Sequence, residues 1–493
     1  NLVTTIHILP FLKSTSDGGF AVSSHDELEE KFGDWKNIRE FSKKYTIMAD
    51  LVLNHVSSSH QWVKDFIAQK SPNCKYILSP KIDSGWDDVI RPRSSSLFTN
   101  LKTTIGNKDV WSTFGPDQID VDWSNPSVLI EFIKIIILYF NNGISWIRLD
   151  AIAFIWKKEN TNCLHLDQVH LIVKFLKIIL NKLFKHSVII TETNVPEKEN
   201  ISYLISGNEA DIAYNFTLPP LLLEAVINNK ADLLNKWLNN WPKLPRNTTF
   251  LNFTSSHDGI GLRALEGLMD NDRIHSLLVN CEKRGGLISH RRMPNGEDSP
   301  YELNISWWSA MADSGIDPSH LQLKRFFLTQ LFTMAIQGIP AFYLQSIFAS
   351  ENDYSTFGQT GQRRDLNRHK FEANSLAHIL KQKNSIPNKI ISFLKNAMSI
   401  RSQNIPFHPE SPMNCLSLGR TDFVIILRGD KNNKILAIHN MTNMRLNLSI
   451  SEYIDKAKFS HFKRYRDILN NRLISNNFLE LDPYSVMWIK GEI

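Results

Sequence analysis

At 493 residues the chain is too long for one compact core and suits a barrel carrying one or two accessory domains. Its 56 Lys and Arg against 50 Asp and Glu leave a mild net charge of +6, spread along the chain, which argues against a nucleic-acid role. Four scattered cysteines without a C-x-x-C pair suggest neither a zinc site nor a disulfide framework, and no apolar run approaches a membrane span, so a cytoplasmic enzyme with reduced thiols is expected.

Apolar, strand-like pieces alternate with helical ones, the pattern of a parallel sheet with helices outside. Strands are predicted over 5–9, 47–53, 146–149, 188–191, 212–214, 251–253 and 341–343, with helices between them, for example over 127–141 and 170–182. The catalytic barrel is expected to comprise 1–56, 112–260 and 310–406. Two stretches break its rhythm, 57–111 with the string R-P-R and 261–309 with H-R-R-M-P-N-G, and both read as insertions over the barrel mouth. From 407 to 493 short alternating strands such as F-V-I-I-L-R and V-M-W-I-K predict a small, structural β domain. Lys174, Lys177 and Lys182 lie in an amphipathic run and read as a solvated helix face.

Three of these strands deliver acids. Asp150 ends G-I-S-W-I-R-L-D, with Arg148 two residues earlier and able to favour its ionised form. Glu192 closes V-I-I-T-E-T, and Asp258 follows L-N-F-T-S-S-H. Any one such acid could simply cap the helix after its strand. Three at the C-terminal ends of barrel strands, with their companions, point to acid, base and nucleophile chemistry on a sugar. Upstream, M-A-D-L-V-L-N-H-V places Asp50, Asn54 and His55 on and just after another strand, and His55 and His257 both offer nitrogens to sugar hydroxyls.

In this order the strings D-x-x-x-N-H, x-R-x-D, strand-end Glu and H-D resemble the four signature blocks of glycoside hydrolase family 13, the α-amylase superfamily. Trp146 stands where the second block has glycine, leaving Arg148 and Asp150 intact. Further strings, I-H-I-L-P-F, S-D-G-G-F, R-P-R, N-F-T-L-P-P-L-L-L, P-Y-E-L-N and R-R-D-L-N-R-H, resemble the sucrose phosphorylase branch over nearly the whole chain, and T-E-T-N-V-P-E-K-E-N resembles relatives acting on glucosylglycerate or sucrose 6-phosphate. The resemblance implies a (β/α)8 TIM-type barrel. In it the strand within 1–11 would be the second, so the first βα unit is expected to be lacking.

The resemblance also assigns roles. Asp150 would be the nucleophile, Glu192 the acid and base, and Asp258 the acid that grips hydroxyls as the ring flattens. Asp17 and Arg364 would hold the far side of a glucose ring, although S-D-G-G is by itself a turn signal. Phe114 would pack near the sugar, and Phe154 stands where relatives show Tyr. Arg93 and Tyr301 match residues that receive phosphate, while Arg291 and Arg292 read either as solvated loop residues or as readers of an anionic aglycone. The expected partners are a small α-glucoside and inorganic phosphate, and a homodimer is left open. The implied reaction is phosphorolysis to α-glucose 1-phosphate by double displacement, the alternatives being an amylosucrase-like transglycosylase, a hydrolase, or an inactive remnant.

Overall fold

The computed structural model describes residues 3–82, 85–293, 295–313, 319–430, 433–459, 462–474 and 478–492. Its centre is a curled sheet of seven parallel strands in the order β1 (Thr5–Ile8), β2 (Thr46–Val52), β3 (Ile144–Asp150), β4 (Val188–Thr191), β5 (Ile212–Tyr214), β6 (Thr249–Asn252) and β7 (Ile339–Pro340). Each neighbouring pair is parallel, with helical crossovers between most of them, as a (β/α)8-type barrel requires. Among the described residues β1 and β7 form the two edges of this sheet.

The outer helices include α1 (Trp35–Ser42), α2 (Pro126–Asn141), α3 (Asp167–Leu183), α4 (Leu218–Asn228), α5 (Asp232–Asn239) and α6 (Ser319–Ala335). α2 shows how sequence sets such a layer. The Asn125 side chain accepts from Ser127 N–H as N-cap, and Pro126 occupies the first turn, where a missing N–H costs nothing. Its buried residues Val128, Phe132, Ile135, Ile136 and Tyr139 fall three to four apart and seat one face on the sheet. α3 repeats this with Val169, Val173, Leu176 and Leu180. On its other side Lys174 and Lys182 are exposed, but Lys177 bonds both oxygens of Asp211 at 2.6 and 2.7 Å, so it is not a purely solvated residue.

The predicted last strand, 341–343, lies two residues too late. β7 pairs through Ile339 and Pro340, and Ala341 N–H closes the ladder onto Asn252 O at 2.7 Å before the chain leaves the sheet. The segment 57–111 is not merely loop: it holds a helix, Gln61–Ile67, and a hairpin of Phe98–Thr103 with Gly106–Trp111. Likewise 261–309 carries a 13-residue helix, Asn271–Lys283, and the hairpin Leu287–Arg292/Asp298–Asn304. That hairpin brings Tyr301 and Glu302 to the barrel mouth.

The C-terminal part is a six-stranded antiparallel sheet built around Phe423–Asp430, Asn433–Asn440 and Val486–Glu492. Its strands alternate. Val424, Ile426, Ile435 and Ala437 share a buried cluster with Phe332 and Ile336 at the end of α6, while Phe423, Ile425, Leu436 and Ile438 face a second cluster on the far side. No described helix is long and apolar enough to cross a membrane.

Candidate active site

Side chains two apart on a strand share a face, and β3 uses this to put Arg148 and Asp150 inside the barrel while Ile147 and Leu149 pack outward. In the register with β2, Arg148 stands beside Asp50. The result is one buried guanidinium serving three acids. Arg148 Nη1 donates to Asp50 Oδ1 at 2.5 Å and to Asp150 Oδ1 at 2.7 Å, and Nη2 lies 3.5 Å from Glu192 Oε2. Ala151, at φ +48°, turns its N–H onto Glu192 Oε2 at 3.1 Å. A non-glycine residue in left-handed backbone directly after a strand-end acid is strain held where chemistry is expected.

Asp258 is reached from another direction. Arg364 Nη1 lies 2.7 Å from its Oδ1, and Arg368 Nη2 and His257 Nε2 stand at 3.7 and 3.4 Å from the same oxygen. Arg364 also grips Glu302, with Nη2 at 2.6 Å and Nε at 3.2 Å, a two-pronged contact that fixes the plane of the guanidinium. Asp17 faces this pair, 4.0 Å from Arg364 and 3.7 Å from Arg368. Gln118 Nε2 contacts both Asp17 Oδ2 at 3.3 Å and His55 Nε2 at 3.0 Å. Phe20 stacks on His257 with ring centres 5.0 Å apart.

Apart from Arg148, the residues predicted for catalysis and for holding the sugar and phosphate line a single cavity: Asp17, His55, Arg93, Phe114, Asp150, Glu192, His257, Asp258, Tyr301 and Arg364. Arg148, 1 % exposed, supports the acids from behind. Phe154, at the position where relatives show Tyr, lines the same cavity and packs edge-on to Phe114. Arg93 sits between two rings, 5.7 Å from Phe114 and 5.9 Å from Tyr301, and 3.9 Å from Glu302. Arg291 and Arg292 are not in the wall. The former is tied to Glu266 at 2.7 Å and the latter to Asp298 at 2.9 Å. As readers of an aglycone they are therefore occupied elsewhere.

Electrostatically the acids separate into two groups. Burial pushes Asp258 up, but Arg364, His257 and Arg368 outweigh it and hold the carboxyl far below its ordinary range. The same contest lowers Asp50 to about 2 through His7 and Arg148, and lowers Asp17 through Arg364 and Arg368. Asp150 and Glu192 go the other way. Burial raises both, and despite Arg148 each is raised further by neighbouring negative charge: Glu192, Asp50 and Asp258 act on Asp150, and Asp258 acts on Glu192. Arg148 favours the ionised form of Asp150 as expected, but burial and the neighbouring negative charge outweigh its pull. Arg148 stands closer to Asp150 than to Glu192, 2.7 against 3.5 Å, so its charge favours the ionised form more strongly at Asp150.

Sequence reasoning passed over several of these groups. Glu302 was hidden because a single acid in a hairpin strand carries no spacing signal. Arg368 stands four residues beyond Arg364 in the same string, which was a usable hint. His7, 2.9 Å from Asp50, is the one ring nitrogen on an otherwise apolar strand, and its register beside β2 could have paired it with the inward acid. No group of three or more His, Cys, Asp or Glu able to hold a metal ion occurs among the described residues.

A barrel with an arginine-braced set of strand-end carboxylates defines a carbohydrate-active enzyme of the α-amylase type. The family model described as the α-amylase catalytic domain matches residues 2–280. The chain belongs to the α-amylase family. It is 36 % identical to the glucosylglycerate phosphorylase of Allomeiothermus silvanus over 89 % of this chain and 79 % of that one. It is 31 % identical to the enzyme of the same name from Escherichia coli K12 over 99 % of this chain and 86 % of that one. The fold superposes on the crystal structure of sucrose 6F-phosphate phosphorylase from Thermoanaerobacter thermosaccharolyticum with a TM-score of 0.75, at 22 % identity, covering 88 % of this chain and 87 % of that one.

Proposed function

We propose that this chain is a retaining α-glucosyl phosphorylase that cleaves a small α-glucoside with inorganic phosphate to give α-glucose 1-phosphate. The observation that carries the reading is the pairing of Asp150 and Glu192 on one buried guanidinium at the floor of a cavity that closes behind the sugar. Asp150 attacks the anomeric carbon, forming the glucosyl–enzyme bond as the aglycone oxygen leaves. Glu192 gives that oxygen its proton. Phosphate then attacks the same carbon from the vacated side, Glu192 takes its proton, and Asp150 is released. A retaining enzyme needs its two carboxyls about 5 Å apart, one on each face of the sugar.

Three features support the finer points. The ionised Asp258, gripped by Arg364 and Arg368, suits a group that accepts sugar hydroxyls as positive charge develops. Asp17 and the two arginines close the far end, so one glucosyl unit fits and a polymer does not thread through. On the opposite side Arg93 lies between Phe114 and Tyr301, a cation presented to an incoming anion. The similarity to glucosylglycerate phosphorylases makes glucosylglycerate the first donor to test, with sucrose and sucrose 6-phosphate beside it. Purified protein incubated with each donor and phosphate is expected to form α-glucose 1-phosphate from at least one. Free glucose in equal yield with and without phosphate would replace this reading by a hydrolase, and no product from any donor would end it.

A further inference from the structure

The turn that carries Asp17 runs through left-handed backbone, which its glycines adopt freely and Asp17 does not. Asp17, Gly18 and Gly19 have φ of +51°, +63° and +111°, and only the last two lack a Cβ. A Cβ at Gly19 would come within 2.5 Å of Pro10 O, so the turn has no room to relax in that direction. A 3.0 Å bond from Thr15 N–H to Ala21 O closes its base, but the bonds within it are long: Gly19 N–H to Ser16 O at 3.2 Å, Phe20 N–H to Asp17 O and Ala21 N–H to Ser16 O at 3.3 Å. Such bonds alone do not hold an aspartate in left-handed backbone.

The short contacts come from outside the cavity: Thr15 Oγ1 lies 2.7 Å from Ser57 Oγ, and the others converge on Asp117. Its Oδ2 accepts from Thr15 Oγ1 at 2.6 Å and Ser16 Oγ at 2.5 Å. Its Oδ1 accepts from Ser58 Oγ at 2.5 Å, and from Ser57 Oγ and Ser58 N–H at 3.3 Å. One carboxylate thus joins the segment before Asp17 to the segment after His55. The residue next to it in sequence, Gln118, reaches both Asp17 and His55. These hydrogen bonds hold the Asp117 carboxyl below its ordinary range against the opposing effect of burial.

We propose that Asp117 is a positioning residue: it ties the Ser16–Asp17 turn to the Asp117–Gln118 turn, so that Asp17, Gln118 and His55 meet the substrate as one preformed wall. What that wall contacts, the glucosyl ring, rests on the function proposed above. The tie itself does not. Without it the turn samples conformations that do not bind, and apparent affinity falls by the competent fraction, whereas the bound state, once formed, reacts normally.

Asp117→Ala is therefore expected to raise the donor KM about tenfold while changing kcat by less than about twofold. Asp17→Asn, which removes a contact to the sugar itself, should depress kcat/KM more strongly, and Asp117→Ala added to it should cost less than it does alone, because part of its effect runs through Asp17. Hydrogen exchange gives a readout that needs no turnover. The amides of residues 19–21 should exchange about tenfold faster in Asp117→Ala, with the barrel strands unaltered. Ser16→Ala, a milder cut of the same tie, should move both readouts in the same direction and guards against misfolding of the first variant. Unchanged exchange at residues 19–21 would overturn the tie whatever the kinetics. Faster exchange with an unchanged KM, or a loss confined to kcat, would overturn its role in binding. Wild-type protein inert on every glucoside would sink the function proposed above, and exchange would still decide whether Asp117 holds the turn.

Discussion

Arg148 and Asp150 stand two residues apart on β3, point into the barrel together, and meet through a 2.7 Å hydrogen bond from Nη1 to Oδ1. That contact is local, fixed by strand geometry, and needs no loop to form. Through the same guanidinium the strand reaches across to Asp50 on β2 and toward Glu192 after β4. Three strands of the barrel are therefore joined by one side chain before any substrate enters.

Replacing Arg148 tests that dependence. Arg148→Met removes the cation that touches Asp50, Asp150 and Glu192, leaving buried negative charge with His7 as the remaining partner of Asp50. Breaking a buried ion pair costs about 3–5 kcal/mol of stability. Loss of a charge-orienting group should lower kcat/KM about a thousandfold or more. Arg148→Lys restores charge but not the fork that spans two strands, so it should recover stability better than activity. Thermal melting and steady-state phosphorolysis, measured on both variants, separate the two effects; a lysine variant with near wild-type activity would contradict the shared-fork account.

The raised carboxyls make a pH prediction. Because Glu192 titrates above its unfolded value, it is protonated in both states at low pH and costs nothing there. As pH rises past its unfolded value the unfolded chain ionises first, and the folded state is penalised increasingly until the folded value is passed. Glu192→Gln should therefore melt higher than wild type near neutrality, with the gain fading toward about pH 4. The same variant should lose the alkaline limb of the pH–rate profile along with most of its activity on donors whose aglycone needs a proton. Melting scans from pH 4 to pH 8 decide it, and equal melting temperatures at every pH would contradict the raised value.

The barrel and its chemistry were legible because both depend on local spacing. Alternation put Arg148 and Asp150 on one face, and apolar runs ending in acids marked the strands that matter. The site's second half was less legible because it is assembled by chain crossings. Glu302 comes from a hairpin within 261–309, Arg368 from beyond β7, and His7 from the neighbouring strand, and none carries a periodic signal. Arg291 and Arg292 show the converse: a conspicuous basic pair whose hairpin geometry turns it to Glu266 and Asp298 instead of the cavity. The two strain points, Asp17 and Ala151, could not be read from residue type, since neither Asp nor Ala announces left-handed backbone as glycine does.

Arg93 and Tyr301 should separate phosphate from glucosyl binding. Burial raises the Tyr301 hydroxyl to about 12, so it stays a donor throughout the physiological range. Arg93→Ala is expected to raise the KM for phosphate about ten- to a hundredfold, the loss of one charge-assisted contact, while the first half-reaction stays within about threefold of wild type. Tyr301→Phe should do the same more weakly. A rapid-quench burst of released aglycone without phosphate measures the first step, and steady-state turnover with phosphate measures the second. A burst that falls as far as turnover would assign Arg93 to the donor instead.

The C-terminal sheet gives the last prediction, because one of its ties to the barrel is a buried cation that meets no carboxylate among the described residues. Arg428, fully buried, donates through Nη1 to Ala335 O and through Nη2 to His408 O, each at 2.7 Å, and to Ser411 O at 3.2 Å. Arg401 donates alongside it to Met334 O at 3.0 Å. Both thus cap the C-terminus of α6, where free carbonyls and the helix dipole favour positive charge. Burial and the neighbouring Arg401 lower Arg428 to about 9. Arg428→Met keeps most of the volume and strands these carbonyls, which should cost about 3 kcal/mol. Since α6 leads into β7, away from the acids, kcat and KM of the folded variant should remain those of wild type. Denaturant unfolding combined with kinetics at 25 °C tests this, and altered kinetics at unaltered stability would give the C-terminal sheet a part in catalysis that its packing does not suggest.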